Sequence, residues 1–157
     1  MSNIDREYLF KSFLSAMNDV VGTMAGFAMK EYRDDLDERQ SHSGEITGAM
    51  LVLGEKNAMV TITMEKETAS VLVAYMTGID PAELEDEEVF DGVAELVNLV
   101  TGRAKAIMAG TEYYFNITPP FTIVGSDHYI MHKSRASKVA MKYVAGELEF
   151  FLELFYI

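Results

Sequence analysis

The sequence predicts an α/β (α+β) fold in which two long helices pack on a largely antiparallel sheet. Three observations carry that expectation. Residues 4–24 and 86–109 repeat apolar side chains at helical spacing. Other stretches alternate or run apolar over strand lengths, with Gly, Asn or Pro punctuating them. The order is helix, two strands, two helices, then three or more strands, and its connections allow mostly antiparallel pairing. No internal repeat, low-complexity tract or linker interrupts the chain, so one domain over residues 1–157 is expected.

The elements follow in order. Leu9, Phe10, Phe13, Leu14, Met17, Val20, Val21 and Met24 form one wide stripe on the first helix. The charged stretch 30–43, KEYRDDLDERQSHS, reads as a strand or frayed helix end followed by an exposed loop. GEITGAMLVLG and NAMVTITME read as two strands, with Gly54 and Asn57 available to the turn between them. ETASVLVAYMTG is a short helix stopped by Gly78. In DPAELEDEE, Asp80 can cap, Pro81 suits a first helical position and Glu83 can complete a capping box. Six of those nine residues are acidic. They read as a solvated connection that favours the next helix's N-terminus rather than as a cation site. NITPPFTIVG reads as a strand bent at Pro119-Pro120, because proline cannot donate to a ladder. SKVAMKYV and ELEFFLELFYI alternate and form a hairpin across Ala145-Gly146.

Composition narrows the function classes. Apolar residues make up 49%, with 11 Met, 9 Phe and 8 Tyr, which suits a packed core rather than disorder. A net charge of -12 argues against nucleic acid and against an anionic membrane as partners. With no Cys, neither disulfides nor thiolate metal sites can form. No secretory signal or membrane-spanning run is evident, so a cytoplasmic location is expected.

Helix 86–109 carries an unusual outer face. At about 100° per residue, Val89, Val93, Leu96, Val97, Val100, Ala104, Ile107 and Met108 gather on one side. Asp91, Glu95, Asn98, Gly102 and Ala109 gather opposite them, with Ala106 nearby. Glu95 and Asn98 are thus i, i+3 neighbours on the solvent face. Small residues around them leave both polar groups standing clear. Gly102 costs roughly 1 kcal/mol relative to Ala in a helix interior, a cost easier to understand if another molecule approaches there. An exposed Glu-x-x-Asn also arises by chance, and Ser15 and Asn18 lie opposite the stripe of the first helix in the same way.

AELVNLVTGRAK, residues 94–105, resembles the signature of the CheC/CheX/FliY chemotaxis phosphatases: Glu-x-x-Asn, three residues, Gly, a basic residue and Ala. NITPP with VGSD resembles the strand that follows this helix in CheX. The resemblance is good over about 46–127, partial over the first helix and poor over 25–43. CheC and FliY carry two copies of the signature and CheX one active copy. Here Ser15 replaces a Glu three before Asn18, which points to the CheX type and puts a second site in doubt. Val97 stands where CheX often has a small residue, but it points toward the core.

The resemblance implies a phosphatase acting on a phosphorylated response regulator of the CheY type. Glu95 and Asn98 would be catalytic, with Asp91 and Gly102 contacting the partner. Asn98 would hold the attacking water, and Glu95 would pair with the receiver's active-site Lys. An amide places a donor and an acceptor on one plane, and phosphoryl transfer needs positioning and electrostatics more than covalent help. No metal or cofactor of the chain's own is expected, since the Mg2+ would sit on the receiver. A non-catalytic docking module of the same fold, binding a receiver or a signalling or flagellar assembly, is the second reading.

Other residues carry less. His128 and His132 are four apart outside a helix, where that spacing does not make a ligand pair. Ser126-Asp127-His128 lists hydrolase residue types without any spatial arrangement. No Gly-rich phosphate loop follows a strand. Finally, the C-terminal strand sets Phe151 and Phe155 on the face opposite Phe150, Leu152 and Leu154. As an edge strand it would invite pairing, and CheX-like proteins are dimeric through sheet contacts, so a homodimer is expected.

Overall fold

The computed structural model describes residues 3–26, 28–35, 39–132 and 137–157. The first apolar stripe folds as α1 (Asn3–Met17), a π-helical segment (Asn18–Gly22) and a last turn, α2 (Thr23–Ala25). Phe10, Phe13, Met17 and Val21 are fully buried along it. The π segment was not anticipated. It falls where Asn18 and Gly22 weaken the regular helix, and it turns Asp19 toward a neighbouring helix.

The charged stretch opens with β1 (Lys30–Arg33), a fully exposed strand. A loop follows it, of which residues 36–38 lie outside the described residues. β2 (Gly44–Leu53) and β3 (Ala58–Met64) form the expected hairpin, in register from Ile46↔Met64 to Val52↔Ala58. α3 (Lys66–Thr77) ends at Gly78, whose φ of 76° closes the helix in the left-handed region. Asp80 accepts the Ala82 N–H at 2.9 Å and starts a 3-10 turn (Pro81–Glu83).

The capping box lies elsewhere than expected. Leu84 is extended, so the next helix has its own cap: the Glu88 carboxylate accepts the Glu85 N–H at 3.1 Å. That helix is α4 (Asp86–Ile107), with Asp86, Glu87 and Glu88 in its first turn to complement the helix dipole. β4 (Asn116–Ile117) and β5 (Phe121–His128) are separated by the two prolines, and both pair with β2. β6 (Ser137–Ala145) and β7 (Leu148–Tyr156) form the last hairpin.

The sheet has seven antiparallel strands in the order β1-β6-β7-β3-β2-β4, with β5 also on β2. Alternation puts Ile46, Met50, Val60, Ile62, Leu152 and Leu154 on one face, and α1 and α4 bury their stripes there. Gly48 sets the closeness of that packing. A Cβ there would lie 2.9 Å from the Val93 carbonyl oxygen, so α4 rests almost on the β2 backbone.

The expected edge position of the C-terminal strand is overturned. β7 lies between β6 and β3, and Phe155 is fully buried. The face opposite the helices is covered, among the described residues, by residues 34–35, 39–42 and 129–132. His42 stacks on Phe151 with centroids 3.9 Å apart, and His132 packs on Phe155 at 4.3 Å. Beneath them Glu153, with no exposed surface, pairs with Lys138 at 3.3 Å and His42 Nδ1 at 3.2 Å. Glu153 also accepts the His42 backbone N–H at 2.9 Å. The sheet ends are instead β1 and the β4/β5 side.

Candidate functional site

Helix α4 presents the candidate residues outward because its other side is committed. Val89, Val93, Leu96, Val97, Val100 and Ala104 are buried. Gly92 faces α3 so closely that an added Cβ would lie 2.4 Å from Val73 Cγ2. The opposite side carries Asp91 and Glu95, both exposed, with Asn98 and Gly102 half-buried. The structure therefore places all four sequence-predicted residues on one outer face. Among the described residues, neither Glu95 nor Asn98 has a hydrogen-bond or ion-pair partner within the chain.

Gly102 differs from the packing glycines. A Cβ there would meet nothing within 4 Å. Among the described residues, its missing side chain makes room for no other group.

Two cations flank this face, and both are tied sideways. Arg103 Nε donates to Asp19 Oδ2 at 3.0 Å, across from the π-helical segment. Lys105 Nζ lies 5.3 Å from the centre of the Tyr114 ring. Leu99, 41% exposed, stands between the Glu95–Asn98 pair and Arg103. Leu99 falls at the margin between the buried and exposed sides, so helical phase alone does not single it out.

Asn18, the matching residue of the first helix, is engaged differently. Its amide donates to Glu31 Oε1 at 2.9 Å and so ties the π-helical segment to β1. Ser15 is exposed beside it.

The residues set aside in the sequence have structural partners. His128 Nδ1 donates to the Gly125 carbonyl at 2.8 Å, and its Nε2 is hydrogen-bonded to the Thr47 hydroxyl, also at 2.8 Å. His132 lies on Phe155, 4.3 Å between centroids, and His128 and His132 share no ligand. Among the described residues, no group of three His, Asp or Glu side chains could hold a metal ion. A cleft of 620 Å³ opens beside the start of α3, lined by Glu65, Glu67, Glu147 and Phe151 among others, and contains neither Glu95 nor Asn98. The candidate site is thus a helix surface, able to enter another molecule's pocket rather than to enclose a ligand. Among the described residues no helix is long and apolar enough to cross a membrane.

Known structures share this architecture. A CheC-like superfamily protein from Shewanella sp. PV-4 is 27% identical, with 95% of this chain and 97% of that chain covered and a TM-score of 0.80. CheX from Vibrio vulnificus is 27% identical, with 96% and 99% covered and a TM-score of 0.79. The fold also matches a CheX–CheY–BeF3–Mg2+ complex from Borrelia burgdorferi, at 16% identity, 94% and 96% coverage and a TM-score of 0.67. The curated proteins contain no match. A family model described as chemotaxis phosphatase CheX matches residues 46–143, well over half of the sequence, and the chain belongs to that family.

Proposed function

We propose that this protein accelerates hydrolysis of the aspartyl phosphate on a CheY-type response regulator. The observation that carries the reading is the outward Glu95–Asn98 pair, unpartnered among the described residues, on a helix well seated by its buried side. Membership of a chemotaxis phosphatase family supports it, as does the Borrelia burgdorferi relative found with CheY.

The chemistry follows from what each side needs. An acyl phosphate is already prone to hydrolysis, and the receiver supplies Mg2+ and a Lys beside the phosphoryl group. The missing component is a water held in line. Asn98 accepts from that water and aims it, without acting as a base. Glu95, one turn earlier, pairs with the receiver's Lys and sets the register. Asp91 and Gly102 extend the contact along α4. The chain contributes no metal or cofactor of its own, and it works in the cytoplasm, where receivers are phosphorylated.

A homodimer belongs to the same reading, through a sheet end rather than through β7. Among the described residues β5 is paired on one side only, and it exposes Phe121 and Val124. Light scattering at micromolar concentration should give twice the chain mass, and a monomer would remove this part.

The test of function is decay of a phosphorylated receiver from the same organism, with and without the protein. Faster decay supports the phosphatase. Binding without acceleration by any such receiver supports the non-catalytic docking module instead.

A further inference from the structure

We infer that Leu99 is the apolar anchor of the receiver-docking surface, and that the cognate receiver carries an apolar patch directly beside its phosphorylation pocket. The inference rests on the proposed phosphatase reading and goes further, because it assigns affinity and catalysis to different residues of one helix.

Position comes first. At about 100° per residue, Leu99 lies roughly 40° around α4 from Glu95. As its i, i+4 neighbour it stands about 6 Å away. A specific protein contact buries about 800 Å² on each side, a patch far wider than that spacing. A receiver that admits Glu95 and Asn98 into its pocket therefore covers Leu99 as well. Leu99 is 41% exposed, whereas Leu96 and Val100 on the inner side of α4 are buried.

The surroundings define the chemistry that fits. Gly102 and Ala106 add no reach beside Leu99, so it is the tallest apolar group on this part of the face. Arg103 is held by Asp19 at 3.0 Å, and Lys105 lies against Tyr114. Both cations are engaged sideways by these contacts, which leaves Leu99 as the group of this turn without a polar partner of its own. The acidic groups, Asp91 and Glu95, lie toward the N-terminal half of the same face. The footprint is divided: carboxylates toward the receiver's Lys, and a leucine toward an apolar patch. Burying the exposed leucine surface contributes affinity, while the adjoining polar groups define the register.

The experiment measures phosphoreceiver decay against receiver concentration for the full chain, Leu99→Ala, Leu99→Met and Tyr75→Ala, with receiver affinity from titration calorimetry in Mg2+. Tyr75, similarly exposed at 49%, stands on α3 rather than on α4. Leu99→Ala should raise both the half-saturating concentration and Kd about tenfold, equivalent to about 1.4 kcal/mol. Its saturating rate should stay within twofold of the unaltered protein. Leu99→Met should recover most of the affinity, and Tyr75→Ala should change neither quantity. Unchanged affinity in Leu99→Ala overturns the inference while leaving the phosphatase reading intact. Leu99-dependent binding without acceleration overturns the phosphatase reading and keeps the docking surface. Absence of receiver binding by the unaltered protein overturns both.

Discussion

Replacing Gly102 with alanine should make the protein more stable and a poorer phosphatase. The added methyl meets nothing within 4 Å, so no packing penalty opposes it. The helix gains the usual difference between glycine and alanine in its interior, about 0.5–1 kcal/mol. For a domain of this size each kcal/mol is worth roughly 2–4 °C, so Tm should rise by about 1–4 °C. The same methyl would hold a receiver backbone away from α4 next to Asn98. A displacement of about 1 Å at a positioned water can cost on the order of a hundredfold in rate, and at least tenfold in kcat/KM is expected here. The assay pairs a thermal scan with phosphoreceiver decay on one preparation. Gly92→Ala is the internal control, because its Cβ would meet Val73 at 2.4 Å. That overpacking costs about 1–3 kcal/mol and outweighs the helix gain, so Tm should fall. A Gly102→Ala protein that is more stable and fully active would refute the argument that this glycine serves a partner.

The buried charges on the other face of the sheet make two further predictions. Glu153→Ala leaves Lys138, with a side chain 2% exposed, without its carboxylate, and denaturant titration should show a loss of about 3–5 kcal/mol. Combining Glu153→Leu with Lys138→Met should recover most of that loss, and a double variant as unstable as the single one would contradict the pairing. The two histidines over this face should titrate apart in NMR. Burial pushes the His42 pKa down, but Glu153 and then Asp34 outweigh it and raise it above 6.5. Its stabilisation is therefore complete below pH 6.5 and fades as pH rises through the folded value. Burial lowers His132, with Glu153 opposing only in part, so its contribution holds above pH 6.5 and is lost as pH falls through its lower folded value. His42→Gln should accordingly lose more stability at about pH 6 than at about pH 8. An equal loss at both would exclude a charged role for His42.

The parts of the fold legible in the sequence are those with local causes. Gly78 ends α3, Pro119-Pro120 divides β4 from β5, and helical phase alone placed Asp91, Glu95, Asn98 and Gly102 on one outer face. The features missed depend on partners far away in the chain. Glu149 and Glu153 alternate alike, yet one is exposed and the other buried, because Lys138 and His42 reach only Glu153. The same covering segments remove Phe155 from solvent, and the inner position of β7 follows from its pairing with β3, which no local pattern encodes. Gly48 and Gly92 look like ordinary glycines until Val93 and Val73 are seen against them. The π-helical segment leaves no periodic mark, and Leu99 lies at the margin of the stripe.

The central claim is that α4 brings Asn98 to a receiver's phosphoryl group to hold a water. Its most direct test is the decay rate of a phosphorylated receiver at saturating Asn98→Ala protein, with circular dichroism confirming the fold. Asn98 has no partner within the described chain, and alanine is the better helix former, so folding should be intact or slightly improved. The account predicts that receiver binding is nearly unchanged and that decay returns to the receiver's own rate, because Asn98 acts chiefly in the transition state. Glu95→Ala, by contrast, should weaken binding as well. Wild-type acceleration by Asn98→Ala would contradict the mechanism.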